Sequence, residues 1–152
     1  MKQEIAELWS EALRSGVYNQ ASKALVQVDN ESGEVIGHCC LGVLCELAIK
    51  DGVQVNRVAG KSASFSDEDT DESYDVYENI KFDDRDDLVP NAVMIWAGLK
   101  TDDGSVCNPH PYDSAEAYEM ESEFPMSLAE MNDSGTSFSG IAALIEKYSA
   151  DL

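Results

Sequence analysis

Apolar residues recur with the period of an α-helix in several separate segments, and this pattern constrains the fold more than any other feature of the chain. The first segment is residues 3–15, with Gly16 at its end, and its apolar face holds Ile5, Leu8, Trp9, Ala12 and Leu13. The second is residues 39–52, closed by Gly52, and its apolar face holds Cys40, Val43, Leu44, Leu47 and Ala48. Helices therefore have to supply much of the core.

Three further helical segments lie in the second half of the chain. Residues 88–99 return to apolar character, with Pro90 suited to a first helical turn and Gly98 suited to an end. Residues 126–135 predict a short helix and a turn. Ser137 then predicts the N-cap of a final helix, whose buried stripe holds Phe138, Ile141, Ala142, Leu144, Ile145 and Tyr148.

Strand signals are shorter and fewer. The segments "SKALVQV" and "EVIGHC" flank the turn-like "DNESG" and predict a β-hairpin. Residues 53–58, "VQVNRV", and residues 74–82, "YDVYENIKF", are further strand candidates. We therefore expect an α+β fold: one compact domain over residues 1–152, with four or five helices, a small antiparallel hairpin or sheet, and a long acidic loop.

The charge balance limits the partners of the chain. Thirty Asp and Glu residues against ten Lys and Arg residues give a net charge of −20. Such a surface repels nucleic acid and anionic membranes, and it attracts basic protein surfaces. No apolar stretch approaches the roughly 18 residues that span a bilayer, and the N-terminal segment lacks the apolar run of a signal peptide. We expect a cytoplasmic protein that binds neither nucleic acid nor membrane directly.

The negative charge is concentrated in two segments. Residues 67–87 hold eleven acidic residues and two basic ones, within a predicted surface excursion over residues 61–87. A second acidic group follows between Asp113 and Glu123. We expect these segments to form a binding surface for a cationic partner, composed of Asp67, Glu68, Asp69, Asp71, Glu72, Asp75, Glu78, Asp83, Asp84, Asp86, Asp87, Glu116 and Glu119.

Part of the first acidic segment matches the ligand spacing of a calcium loop of the EF-hand type. The matching positions 1, 3, 5, 9 and 12 are Asp67, Asp69, Asp71, Asp75 and Glu78. Position 6 is Glu72, where the sharp turn of such a loop requires Gly, and no helical pattern leads into the segment. Calcium binding at these residues is therefore an alternative hypothesis beside the protein-binding surface.

The cysteines allow two chemical hypotheses and one structural one. Zinc would use His38 or Cys39 together with Cys107 and His110. A Cys–His hydrolase would use Cys40 at a helix N-terminus, where the dipole lowers the pKa of a thiol, and His110 as the base. Asn132 or Asp133 would orient that base. In the structural hypothesis, Cys40 and Cys45 are simply buried as small apolar residues.

Other chemistry finds little support in the sequence. No GxGxxG or GxxxxGK[ST] phosphate loop and no HExxH or GxSxG motif occurs, so we expect no cofactor and favour a protein without enzymatic activity. A sponge for a signalling nucleotide remains an alternative. It would require a basic pocket in which Arg14, Lys23, Arg57 and Lys61 converge.

Four stretches of the chain resemble small acidic proteins that bacteriophages and prophages encode. They are "LWSEALRSGVY", "HCCLGVLCELAIKDGV", "LVPNAVMIWAGL" with "NP" shortly after it, and "LAEMNDSGTSFSGIAALIE". The resemblance leaves out residues 67–87 and implies no catalytic residues. It implies a viral accessory protein in the bacterial cytoplasm. With the charge, it predicts a DNA-mimicking inhibitor of a basic host defence protein, such as a nuclease or a restriction or CRISPR component.

Overall fold

The computed structural model describes residues 1–62, 77–106 and 127–152. Within them the chain forms five helices and one four-stranded antiparallel sheet, which confirms the predicted α+β class. In chain order the elements are α1 (Gln3–Arg14), β1 (Val26–Val28), β2 (Val35–His38), α2 (Cys40–Lys50), β3 (Arg57–Ser62), β4 (Tyr77–Phe82), α3 (Asn91–Ala97), α4 (Leu128–Asp133) and α5 (Phe138–Tyr148). No helix in these three ranges combines the length and the apolar character needed to cross a membrane.

The helix ends follow the local chemistry of the sequence. Gly98 follows α3 with φ of 69°, a left-handed conformation that glycine adopts without a steric cost. Ser127 and Glu130 form a reciprocal capping box at the start of α4. The Ser137 side chain accepts a hydrogen bond from the backbone N–H of Gly140, so the predicted N-cap of α5 is confirmed.

The buried face of α1 differs from the predicted face. Ala6 and Ser10 are buried, whereas Leu8 is 39% exposed. The reason is that α1 packs against both α2 and α5, and the Ser10 hydroxyl donates to the carbonyl of Ala142 in α5 at 3.3 Å. Trp9 is completely buried, and its indole N–H donates to the carbonyl of Cys40 at 2.9 Å.

The sheet has the order β2-β1-β4-β3. The predicted hairpin of residues 22–39 is confirmed, because β1 and β2 pair antiparallel. Its turn is closed by Asp29, whose carboxylate accepts hydrogen bonds from the backbone and side chain of Ser32, and by Gly33 with φ of 71°. Helix α2 then packs against this sheet and contributes buried residues from all sides.

Strands β3 and β4 differ from two predictions made from the sequence. The strand expected at residues 53–58 begins only at Arg57 and continues to Ser62. The excursion expected at residues 61–87 is also interrupted by the sheet, because Lys61 and Ser62 lie in β3 and pair with Glu78 and Tyr77 of β4. Within the candidate strand of residues 74–82, β4 occupies Tyr77–Phe82 and lies in the centre of the sheet.

Gly42 in the first turn of α2 permits a close approach of the helix to the backbone of Leu25. A Cβ atom at this position would lie 1.8 Å from the carbonyl oxygen of Leu25, well inside any possible van der Waals contact. The backbone N–H of Cys39 donates to that same carbonyl at 3.0 Å, which fixes the helix against the segment before β1. Helix α2 can therefore reach this position only with glycine at residue 42.

Replacing Gly42 with alanine should destabilise the protein by about 3 kcal/mol or more, because the backbone of Leu25 has to move. Gly140 provides a matched control, since it also occupies the third position of a helix and also donates to the N-cap side chain. A Cβ at Gly140 meets the Thr136 methyl group at 3.1 Å, which a side-chain rotation relieves. Urea denaturation should show Gly140→Ala within about 1 kcal/mol of the wild type. Equal stability losses for the two variants would contradict this interpretation.

Candidate functional site

The part of the predicted acidic surface that the structure describes is the turn after β4. Asp83 and Asp84 both have positive φ, at 50° and 68°, and Asp83 is held by hydrogen bonds from the backbone and side chain of Asn56 at 2.9 and 3.0 Å. Asp86 lies 3.7 Å from the Lys81 ammonium. Asp84 and Asp87 are exposed and form no ion pair with any residue that the structure describes.

These four aspartates therefore have two different roles. Asp83 and Asp86 fix the shape of the turn, and their charges are partly satisfied within the protein. Asp84 and Asp87 present their carboxylates to solvent. The turn is also joined to the loop after α3, because the Arg85 guanidinium donates a hydrogen bond to the Asp102 carboxylate at 2.7 Å.

Strand β4 lies between the acidic turn and the preceding acidic segment along the chain. Residues 62 and 77, where that segment leaves and rejoins the sheet, lie at one end of the β3–β4 hairpin, and Asp83 follows its other end. The six residues of β4 span about 16 Å at about 3.3 Å per residue. Within residues 67–87, Tyr77–Phe82 thus form a strand of the sheet. The remaining predicted binding residues, Asp67, Glu68, Asp69, Asp71, Glu72, Asp75, Glu116 and Glu119, lie outside the described residues.

The elements that flank residues 63–76 do not match those that flank an EF-hand calcium loop. An EF-hand loop is flanked by two helices, whereas β3 and β4 flank residues 63–76. Glu78, the expected twelfth position, pairs with Val28 and Lys61 inside the sheet. The other four expected ligands lie outside the described residues, and within 1–62, 77–106 and 127–152 no group of three His, Cys, Asp or Glu side chains could hold a metal ion.

Basic side chains are mostly engaged inside the protein. Arg14 forms a two-pronged ion pair with Glu146 across α1 and α5, and Arg57 donates to Glu46 at 2.9 Å. Lys2 and Lys100 donate to backbone carbonyl groups near the ends of α3 and α5. Arg14 and Arg57 thus lie on different elements and are each neutralised, so the basic pocket expected for a nucleotide does not form from them.

The acidic residues are distributed along the chain differently from the basic residues. Residues 63–76 and 107–126 together contain eleven of the thirty acidic residues and none of the ten Lys and Arg residues. All ten basic residues therefore belong to the parts of the chain that the structure describes. The excess of negative charge is largest in the two segments that connect these parts.

Cys40 is placed for packing rather than for nucleophilic attack. It is the first residue of α2, as expected, but its side chain is completely buried and its thiol donates to the carbonyl of Leu128 at 3.5 Å. Burial and the neighbouring Cys39 raise the pKa of the Cys40 thiol well above its ordinary value. The expected lowering by the helix dipole is therefore wrong, because burial dominates. His110, the expected base, lies outside the described residues.

Asn132, which the hydrolase hypothesis expected to orient His110, lies beside Cys40 and connects several elements of the fold. Its carbonyl oxygen accepts from the backbone N–H of Cys40 at 3.2 Å and from the Gln20 amide at 3.1 Å. Its amide nitrogen donates to the carbonyl of Ala21 at 2.8 Å. Asp133 accepts from the backbone N–H of Lys23 at 2.8 Å. The pair therefore joins α4 to α2 and to the segment before β1.

Sequence reasoning missed a polar cluster centred on Glu46 of α2. The Glu46 carboxylate contacts Arg57 of β3 and lies 3.9 Å from His38 Nε2 of β2, so it bridges the two outermost strands of the sheet. Tyr18 packs edge-on against the His38 ring at 5.0 Å. One signal was available in the sequence, since Glu46 is the single acidic residue within the apolar residues 40–49 and such a group requires a partner.

Comparison with known proteins gives a family without an assigned activity. A family model described as "Domain of unknown function (DUF8296)" matches residues 1–149. The chain belongs to the DUF8296 family. No curated protein and no solved structure matches the chain.

The thiols of Cys39, Cys40 and Cys45 should resist modification in the folded protein, because all three are buried and burial raises the pKa of Cys40 and Cys45. The test is Ellman's reagent applied to a Cys107→Ser variant, which leaves these three thiols. We expect labelling only after urea is added. Rapid labelling of Cys40 in the folded state would restore the hydrolase hypothesis.

Glu46 should contribute stability that depends on pH. Burial raises the pKa of Glu46, but the contacts with His38 and Arg57 outweigh it, so the net pKa lies below its ordinary value. Its stabilisation is therefore complete above the pKa of the unfolded chain, about 4.3, and is lost as the pH falls through the lower pKa of the folded state.

The measurement compares Glu46→Gln with the wild type by urea denaturation across this pH range. The variant should be less stable at pH 7, and the gap should close in acid. Glu11→Gln, at an exposed site on α1, is the control and should show little change at any pH. A gap for Glu46→Gln that stays constant or widens in acid would contradict the assigned role.

Proposed function

We propose that this protein is a phage-encoded accessory protein that binds and inhibits a basic host defence protein in the bacterial cytoplasm. The partner is a protein that binds nucleic acid, such as a nuclease or a restriction or CRISPR component. The acidic surface of this chain occupies the groove in which the partner holds DNA. No catalytic step by this chain is required.

The proposal rests on one observation: basic residues form ion pairs within the protein, whereas many acidic residues lie in segments that contain no basic residue. Among the residues that the structure describes, ion pairs with carboxylates are formed by Arg14, Arg57, Lys81 and Arg85. The acidic residues of 63–76 and 107–126 have no Lys or Arg within their own segments. Eleven of the thirty acidic residues behind the net charge of −20 therefore belong to segments without a basic residue of their own.

Duplex DNA carries one negative charge per roughly 1.7 Å of its axis, and proteins that hold it line their grooves with Lys and Arg. A folded domain with many carboxylates can occupy such a groove in place of DNA. The exposed Asp84 and Asp87 lie in a turn that is joined to the loop at Asp102, a few residues before the acidic segment 107–126. The candidate parts of the acidic surface are therefore this turn and the acidic segments 63–76 and 107–126.

The viral origin is supported by the four stretches that resemble small acidic phage proteins. Long-range attraction between the acidic surface and a basic partner would speed association and would be screened by salt. Fast association suits an inhibitor that has to find its target quickly after infection.

The proposal predicts a bacterial protein that is captured at low salt, lost as salt is raised, and displaced by duplex DNA. An affinity pull-down from host lysate measures capture, and added duplex DNA measures competition. Two variants neutralise five acidic residues each. One changes Asp67, Glu68, Asp69, Asp71 and Glu72, and the other changes Asp113, Glu116, Glu119, Glu121 and Glu123.

A third variant is the matched control, because it removes five exposed charges elsewhere: Glu4, Glu7, Glu11, Glu31 and Glu34. We expect at least one of the first two variants to lose the partner by about tenfold or more, and the control to keep it. A partner that survives high salt and every substitution would overturn the proposal. Equal losses in all three variants would mean that net charge alone acts, without a defined surface.

A further inference from the structure

The polar cluster around Glu46 extends to Tyr18 and Lys50 through a continuous chain of contacts. The Lys50 ammonium donates to the Tyr18 hydroxyl at 2.7 Å, and the Tyr18 ring packs against the His38 ring. His38 Nε2 lies 3.9 Å from the Glu46 carboxylate, which accepts from Arg57 at 2.9 Å. Glu46 and Lys50 are four residues apart on α2 and therefore lie on one side of that helix. Side chains from the segment after α1, from β2, from α2 and from β3 thus meet at one place.

This cluster holds more hydrogen-bond donors than its own contacts use. A guanidinium has five N–H groups, and the contact with Glu46 uses one of those of Arg57. An ammonium has three, and the Tyr18 hydroxyl accepts one of those of Lys50. Lys50 is exposed and the Arg57 side chain is 39% exposed, so a ligand can reach the remaining N–H groups.

The charges of the cluster are also unequal. Glu46 forms an ion pair with Arg57. Lys50 forms no ion pair with any residue that the structure describes, although thirty carboxylates are present in the chain. One positive charge of the cluster is therefore left without a partner in the described structure.

His38 gives an independent indication that this cluster binds a ligand. Its side chain is only 12% exposed, and Nδ1 is buried without a hydrogen-bond partner among the described residues. The 3.9 Å between Nε2 and Glu46 exceeds the length of a hydrogen bond, which is about 2.7–3.2 Å. Buried polar groups of native proteins are nearly always satisfied, so a ring without hydrogen bonds indicates an ion or another ligand from outside the chain.

The charges around His38 decide between a cation and an anion. A metal cation would have His38 and Glu46 as ligands, and the described residues offer no third one. Lys50 and Arg57 would repel it. An oxyanion suits both of these side chains, because phosphate is commonly bound by arginine and lysine. The net charge of −20 opposes an anion at long range, but salt screens exposed charges beyond about 8 Å.

We infer that a small oxyanion binds to a site formed by Tyr18, His38, Lys50 and Arg57. The oxyanion is inorganic phosphate or the phosphate group of a small phosphorylated molecule. Lys50 and Arg57 supply the positive charge, His38 Nε2 and the Tyr18 hydroxyl donate hydrogen bonds, and Glu46 holds Arg57 in place. The site shares only Arg57 with the four residues that the sequence suggested for a nucleotide. It goes beyond the proposed inhibition of a host protein and does not depend on it.

The test follows the ring protons of His38 by NMR while inorganic phosphate is added. A His110→Asn background leaves His38 as the single histidine of the chain. Sodium chloride keeps the ionic strength constant and the pH is held fixed, so neither general screening nor titration moves the signals. We expect a shift that saturates. Phenyl phosphate is the second probe: tighter binding than phosphate assigns the site to a phosphorylated molecule, and equal or weaker binding assigns it to free phosphate.

Variants in the same background locate the anion. Lys50→Gln and Arg57→Gln should each weaken phosphate binding by about tenfold, because each removes a charged donor. Lys147→Gln is the matched control, since Lys147 also lies in the last turn of a helix with its ammonium 4.7 Å from a tyrosine ring. Urea denaturation establishes that the variants fold. Lys50→Gln is the decisive variant, because Arg57→Gln also breaks the ion pair with Glu46.

Three results would overturn the inference. A shift of the His38 signals that does not saturate would show that no defined site exists. Saturable binding that Lys50→Gln leaves unchanged would place the anion elsewhere on the protein. An equal loss of binding in Lys147→Gln would show that net charge alone governs the effect. The lysate experiment decides the proposed function separately, whichever result is found.

Discussion

The N-terminus of α2 is the point on which the rest of the structure depends. Its first backbone groups are buried, and each is satisfied by a different part of the chain. Cys39 donates to the carbonyl of Leu25, Cys40 donates to the side chain of Asn132, and the Cys40 carbonyl accepts from Trp9. Because unsatisfied backbone groups at a buried helix end are costly, these contacts fix α1, α4 and the sheet around a single helix.

Elements with strong local signals could be predicted from the sequence. The helices are correct in number and place, because an apolar period of 3.6 residues, Ser137 as an N-cap and Gly98 as an end act within a few residues of each other. The hairpin of β1 and β2 is likewise encoded by its own turn around Asp29. These features need no knowledge of distant parts of the chain.

The predictions that failed concern features that depend on contacts between distant parts of the chain. The buried face of α1 includes Ser10 because α5 supplies a carbonyl acceptor, which no pattern within α1 indicates. Glu46 collects partners from residues 38 and 57, and their convergence exists only in the folded sheet. The chemistry expected of Cys40 failed because a helix N-terminus promotes a thiolate only when water can reach it.

The order of the strands has a consequence for the way the sheet assembles. Strands β1 and β2 form one local hairpin, and β3 and β4 form another, but the sheet is completed by pairing β1 with β4. Val28 and Glu78, which meet there, are about 50 residues apart in the chain, so their encounter has a larger entropic cost than either hairpin. We expect the pairing of these two preformed hairpins to limit the rate of folding.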